Sequence, residues 1–160
     1  MIPEKVKRVL DGAGLAAVEF GEGTTPTAPM AAAALGVEVG QIAKSLLFKG
    51  KDERFYMVLC PGDRRVTNAK LKAAVGVKTR MATAEETVAV TGFPPGGVCP
   101  FGVKGVDVLI DRHLERWATI YPAAGTDGSG VPMTLAQLAS VTGARIADLT
   151  EPSGGADSIT

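Results

Sequence analysis

Polar and apolar positions alternate from Lys44 to Lys49: Lys44, Leu46 and Phe48 share one side of an extended chain, and Ser45, Leu47 and Lys49 share the other. A second apolar run, Arg54 to Cys60, follows a polar turn around Gly50, Lys51 and Asp52, so the two runs are predicted to form a hairpin. Upstream, the pattern predicts an amphipathic helix over Ile2–Asp11, a strand over Ala16–Phe20, and a Thr/Pro/Gly-rich loop, GEGTTPTAP, leading into the helix MAAAALG. Downstream, PGD breaks the strand. TNAKLKAAVG is predicted helical, capped by Thr67 or Asn68 and stopped at Gly76, before a strand over Val77–Ala82 and the helix AEETVAV. GVDVLIDRHL then alternates as a strand, ATIYPAA and VPMT flank GTDGSG as a second hairpin, LAQLASVTG is helical and ARIADL is a closing strand.

Hairpins interleaved with short helices, without a regular βαβ repeat, predict an α+β fold on a mixed, largely antiparallel sheet. A chain of 160 residues, 46% of them hydrophobic, supports one compact domain, placed here at residues 1–151 with a flexible polar tail at 152–160. No apolar run approaches the roughly 18 residues of a membrane span, and MIPEKVKRVL lacks the apolar stretch of a signal peptide, so a cytoplasmic protein is expected. Cys60 and Cys99 have no CxxC or Cys/His partner at metal-ligand spacing, which predicts neither a disulfide framework nor a metal site. Nothing matches a P-loop or a dinucleotide-binding glycine motif, and no cofactor is predicted.

Formal charge is zero, but it is segregated: Lys44 to Arg80 holds ten basic residues against three acidic ones. A basic face of this kind suits a polyanion such as RNA if the fold gathers the side chains, and is a solvated face if it does not.

Two features carry candidate chemistry. Lys44 sits on the apolar side of its strand, where it either snorkels to water or serves a ligand. The stretch TGFPPGGVCPFG, residues 91–102, holds four glycines and three prolines in twelve positions, a composition that fixes the backbone and lets it approach a substrate closely.

QIAKSLLF, TGFPPGGVCPFG and VDVLIDRHLERWATIYPAAG occur in the order and spacing of the YbaK/EbsC family, which this chain resembles over roughly Val6 to Leu149. Those proteins are aminoacyl-tRNA deacylases related to the editing domain of bacterial prolyl-tRNA synthetase. The resemblance implies a barrel-like sheet with helices around it, and hydrolysis of the ester between a wrong amino acid and the 3′-terminal adenosine of tRNA. It places the family's strand lysine on Lys44 and its GxxxP motif on Gly96, Gly97, Val98, Cys99 and Pro100, with the backbone through Phe101 as oxyanion stabiliser. Phe20, Gly102, Ala124 and Gly125 are the expected amino-acid contacts, and Lys49, Lys51, Arg64, Arg65, Lys70 and Lys72 the expected RNA contacts. The implied substrate is a mischarged tRNA, foremost tRNA for proline carrying Cys or Ala, with prolyl-tRNA synthetase as a candidate partner and neither DNA nor membrane involved. Two departures from the cysteine-specific members, near Val18 or Phe20 and at Ala124-Gly125 with Gly130, leave serine and threonine open as well. The family's reaction uses water or a group of the substrate as nucleophile, which fits a chain whose sole histidine, His113, lies in the polar segment DRHLER, and in which Cys99 has no base beside it. The alternative reading is a non-catalytic RNA-binding or synthetase-associated module of the same fold.

Overall fold

The computed structural model describes residues 1–153. Its first half runs α1 (Glu4–Gly12), β1 (Val18–Glu19), α2 (Ala28–Leu35), β2 (Ile42–Gly50), β3 (Phe55–Pro61), β4 (Arg64–Val66), α3 (Asn68–Val75) and β5 (Thr79–Met81). There follow α4 (Ala84–Thr91), β6 (Val106–Asp111), β7 (Tyr121–Pro122), β8 (Ser129–Gly130), α5 (Leu135–Thr142), β9 (Arg145–Ala147) and β10 (Thr150–Pro152). Tight 3-10 turns at Val39–Gln41 and Arg112–Arg116 complete the path.

The predicted hairpin is the centre of the molecule. β2 and β3 pair antiparallel from Ala43 opposite Pro61 to Lys49 opposite Phe55. Period-two alternation sends Ala43, Leu47, Met57 and Leu59 into one core with Val6, Leu10, Phe93, Phe101, Ile110 and Leu138. It sends Phe48, Tyr56, Val58 and Cys60 into a second core with Leu71, Leu109 and Leu149. Because both faces of β3 are covered, its sequence reads as an unbroken apolar run. Threonines cap the helices around the sheet: Thr27, Thr67, Thr83 and Thr134 each accept from the amide three residues on, a device worth about 1 kcal/mol apiece.

The fold is the predicted α+β type on a mixed sheet, ordered β5-β2-β3-β6-β9. Its antiparallel share is smaller than expected, since β6 lies parallel to β3 and β9 parallel to β6. Parallel neighbours need crossover connections, and the segments holding α3 and α4, then α5, supply them. The second hairpin holds at Ile120 and Met133, which exchange backbone bonds of 2.8 and 3.0 Å. Its arms also leave the pair: β7 joins β2 in parallel, and β8 joins β1. The expected strand over Ala16–Phe20 shrinks to Val18–Glu19, the length that β8 can partner. Arg64–Val66, beyond the PGD break, forms an unforeseen strand against β10. Pro152, assigned to the tail, therefore closes a strand opposite Arg64, Ser153 N–H donates to Asp63 O at 3.2 Å, and residues 154–160 of the predicted tail lie outside the described residues.

Candidate active site

One edge of β2 is covered along its length by β3. The other is covered only at its ends, by β7 at Ile42 and Ala43 and by β5 from Phe48 to Gly50, with Ala82 N–H donating to Leu47 O at 2.9 Å. Between them Lys44, Ser45 and Leu46 border a cavity of about 430 Å³. Gly62 N–H bonds Ile42 O and Gly50 N–H bonds Arg54 O, so the even-numbered residues of β2 address β3. Antiparallel alternation then turns the backbone N–H and C=O of Ser45 toward the cavity.

The Lys44 Nζ is shielded from solvent and has no hydrogen-bond partner among the described residues, and the same holds for Ser45 Oγ. Burial lowers the Lys44 pKa below the ordinary lysine value of 10.5, opposed by the weaker attraction of Cys60 and Asp63. Snorkelling is thus not how this lysine is accommodated. Buried polar groups in native proteins are normally satisfied, so two unsatisfied ones on adjacent residues of β2, both at the cavity wall, make this the candidate ligand site.

The opposite walls come from three loops. Thr25, Pro26, Thr27, Ala28 and Pro29 lead into α2; Gly96 and Val98 come from the glycine-proline loop; Tyr121, Ala123, Ser129 and Gly130 come from the segment around β7 and β8. The loops fit because of two glycines. Gly96 adopts φ +82°, and a Cβ there would lie 2.8 Å from Pro26 O; a Cβ on Gly97 would lie 2.7 Å from the Thr126 carbonyl carbon. Asp127 ties the outer loops together: its Oδ1 accepts from Gly23 N–H (2.7 Å), and its backbone oxygen accepts from Thr25 N–H (2.7 Å) and Thr25 Oγ1 (3.1 Å). Ser129 Oγ accepts from Ala124 N–H (3.0 Å) and Thr126 Oγ1 (2.9 Å), which fixes the inner loop.

Of the candidates from the sequence, Lys44, Gly96 and Val98 meet in this cavity. Gly97 lies directly behind it, with its N–H donating to Pro94 O at 3.0 Å. Cys99 and Phe101 turn the other way into the core and are fully buried there, and Pro100 is buried beside them. Burial pushes the Cys99 thiol up to about 12, outweighing a hydrogen bond from Phe101 N–H. Gly102 packs on Lys5, Gly125 on Phe93 and Pro3, and Ala124 sits within the core. Phe20 is held by a bond to Gly128 O (2.7 Å) and does not line the cavity. The α2 entrance, Ser45, Tyr121, Ala123 and Ser129 were not anticipated as walls; the capped, Pro-rich loop at Thr25–Pro29 was the available signal for the first of these.

The basic segment divides. Lys49 pairs with Glu53 at 3.0 Å and approaches Glu86 at 3.9 Å, while Arg80 makes a two-pronged pair with Glu86 at 2.7 and 2.9 Å. Arg64 donates to Thr150 Oγ1 (2.8 Å) and Thr150 O (3.2 Å), and Lys70 reaches Asp148 (3.0 Å), Glu151 (3.1 Å) and Thr150 O (2.9 Å). Lys51, Arg65 and Lys72 are exposed and pair with no acid among the described residues. None of these side chains except Lys44 lines the cavity. His113 lies 3.2 Å from both carboxylate oxygens of buried Asp111. Asp111, His113 and Asp148 bring donor atoms within 4.8 Å of one another, as a metal site would. Asp111 already accepts from Leu149 N–H and Thr150 Oγ1, and Lys70 already sits on Asp148, so the group works as a network anchoring β10.

A basic side chain without a partner, in a cavity walled by glycine-rich backbone at the open edge of a mixed sheet, defines a class, and sequence similarity identifies it. Residues 22–141 match the aminoacyl-tRNA editing domain, and the chain belongs to that family. It is similar to the uncharacterized protein YwhH of Bacillus subtilis (strain 168), 36% identical over 118 residues that make up 73% of this chain and 75% of that one. It is also 40% identical over 82 residues to the proline–tRNA ligase of Thermosipho melanesiensis, spanning 51% of this chain and 14% of the ligase. A crystal structure of a protein proposed to be a trans-editing enzyme for prolyl tRNA synthetase superposes with a TM-score of 0.84 at 37% identity, covering 94% of this chain and 99% of that one. Among the described residues, no helix is long and apolar enough to cross a membrane.

Proposed function

We propose that this protein acts in trans in the cytoplasm to hydrolyse the ester that joins a wrong amino acid to the 3′ end of a tRNA. The foremost substrate is tRNA for proline carrying cysteine or alanine, the product of a prolyl-tRNA synthetase whose pocket rejects similar or smaller side chains by no more than roughly 10 to 200-fold per methylene. The observation that carries this reading is the shielded, unpartnered Nζ of Lys44 in a cavity shared with Gly96 and Val98. In the reaction, a water oxygen bonds the ester carbonyl carbon, the bond from that carbon to the ribose oxygen breaks, and the ribose oxygen takes up a proton. Lys44 holds an oxygen of the acylated terminus in an environment where its field is little screened. The amides of Gly96 and Val98 have no protein acceptor among the described residues and are available to the charge developing on the carbonyl oxygen. No protein nucleophile is required, and positioning supplies much of the acceleration. The surrounding Ala31, Ala43, Ala123 and Gly130 give the cavity short-chained walls that favour a small aminoacyl group.

Incubating the purified chain with tRNA for proline carrying Cys, Ala, Ser or Thr tests the reading. Ester loss above the spontaneous rate, greatest for Cys or Ala, is expected. Tight binding with no turnover on any member of the panel overturns it in favour of a non-catalytic RNA-binding module.

A further inference from the structure

A second concavity, of about 360 Å³, opens at the far end of β2 between the β2–β3 turn and β5, and Lys49, Lys51, Lys78 and Arg80 line it together with Glu53 and Thr79. Four cationic side chains thus converge on one cleft against a single lining acid. Lys49 and Arg80 are partly neutralised by Glu53 and Glu86, while Lys51 and Lys78 are exposed and have no acidic partner among the described residues. The Lys51 N–H bonds Lys78 O at 2.9 Å, so the two backbones that carry these free ammonium groups are fixed to each other. Asp52, the other acid of the turn, is drawn away: its Oδ2 accepts from Tyr56 O–H at 2.6 Å and its Oδ1 from Arg54 N–H at 3.1 Å. Glu53 is held in place by a left-handed backbone, φ 66°, uncommon for a residue with a side chain. The cleft therefore presents four cations, two of them without an acidic partner among the described residues, against the single lining acid Glu53, which is the chemistry of a site for a phosphate-type anion.

The cavity reaches Leu46 and the cleft begins at Lys49, about 10 Å further along the extended strand β2, so a polynucleotide with its end at Lys44 spans both. We propose that the cleft formed by Lys49, Lys51, Lys78 and Arg80 is a phosphodiester-binding subsite that grips the backbone of the RNA whose acylated end lies at Lys44. This inference rests on the deacylase reading for the identity of the polymer. It assigns to the hairpin end, and not to the whole basic segment, the salt-sensitive part of binding.

The test uses the full chain and an uncharged RNA hairpin that mimics an acceptor stem with its single-stranded 3′ end, followed by fluorescence anisotropy over a salt series. Replacing both Lys51 and Lys78 with alanine is expected to weaken binding about tenfold at 0.1 M salt and to flatten the log–log salt slope by between about 1 and 2, the value for two lost phosphate contacts. Glu53→Gln, which removes the nearer of the two acids at Lys49, is expected to tighten binding about two- to threefold. Hydrolysis of a small aminoacyl ester of adenosine is expected to be unchanged in both variants. An unaltered salt slope in the double variant overturns the proposal, as does an equal loss on replacing Arg65 and Lys72, which would make the attraction diffuse. Displacement of the RNA by inorganic phosphate beyond the effect of matched ionic strength would assign the cleft to a free anion and likewise overturn it. Should no aminoacyl ester be hydrolysed while the slope still falls in the double variant, the deacylase reading fails and the phosphodiester subsite stands.

Discussion

Lys44 and Cys60 stand directly opposite each other across the β2–β3 ladder, and burial drives both toward their neutral forms. It lowers the lysine and pushes the thiol up to about 12, while the attraction between ammonium and thiolate opposes both shifts without cancelling either. The pair is a cost to the fold. Lys44→Ala is therefore expected to lose deacylation by about 10² to 10³ in kcat/KM, the scale of removing one preorganised electrostatic contact, while its Tm does not fall. A single-turnover assay beside a thermal melt checks both halves, and near wild-type activity would remove Lys44 from the site.

The same pair sets a pH dependence. The folded lysine has a pKa below its ordinary 10.5, so between those two values the unfolded chain binds more protons and stability rises with pH. Cys60 and Cys99 act with opposite sign, because a thiol raised from 9.0 to about 12 stabilises fully below 9.0 and loses that contribution as pH climbs toward 12. Urea unfolding of wild type and Lys44→Met across pH 7 to 10 isolates the lysine: the advantage of the methionine variant should shrink as pH rises. A constant difference would mean that Lys44 is not desolvated.

Cys99 belongs to the GxxxP stretch, yet its thiol is buried in the core cluster that also holds Phe93 and Phe101, and burial holds it protonated. Cys99→Ala is expected to keep turnover within about threefold and to lose about 1 kcal/mol of stability from the missing buried sulfur. A covalent aminoacyl-thioester recovered after acid quench would contradict that placement.

The alternation that sets Lys44 beside Leu46 and Phe48 was legible because it is local, and so was the Thr67 start of α3, whereas α2 begins at Ala28, two residues before the expected start at Met30. The cavity itself was not. It exists because β7 stops covering β2 at Ala43 and β5 resumes at Phe48, and those partners lie some 30 to 80 residues away in the chain. The glycine-proline loop announced close backbone approach but not its direction, which is why Gly96 and Val98 reach the cavity while Cys99 and Phe101 serve the core. The three-residue strands β4 and β10 carry too few positions to show any period.

Gly97 gives a sharper test of the loop than any side chain. An added Cβ would press on the Thr126 backbone at 2.7 to 2.9 Å, and backbone does not yield as a side-chain tip does. Gly97→Ala is expected to cost about 1 to 3 kcal/mol and to displace the Gly96–Val98 wall, lowering kcat by tenfold or more with the fold retained. Its far-ultraviolet circular dichroism should match wild type. Full activity would show that the loop position is not tied to the chemistry.

Arg64 tests the division of the basic segment. Its guanidinium holds Thr150 through the side-chain oxygen at 2.8 Å and the carbonyl at 3.2 Å, while Asp111 grips the same hydroxyl at 2.7 Å from the core side. A residue so engaged anchors β10 against β4. Arg64→Ala leaves the Thr150 carbonyl with Lys70 alone among these two cations, and is expected to lower stability by about 1 to 2 kcal/mol and to speed amide exchange at Glu151 and Pro152's neighbour Ser153. The salt slope for the RNA hairpin should not move, because the charge removed faces β10 and not the cleft of Lys51 and Lys78. Hydrogen exchange read by mass spectrometry, together with the same anisotropy titration, separates the two roles. A flattened slope with unchanged exchange would return Arg64 to the RNA-binding face.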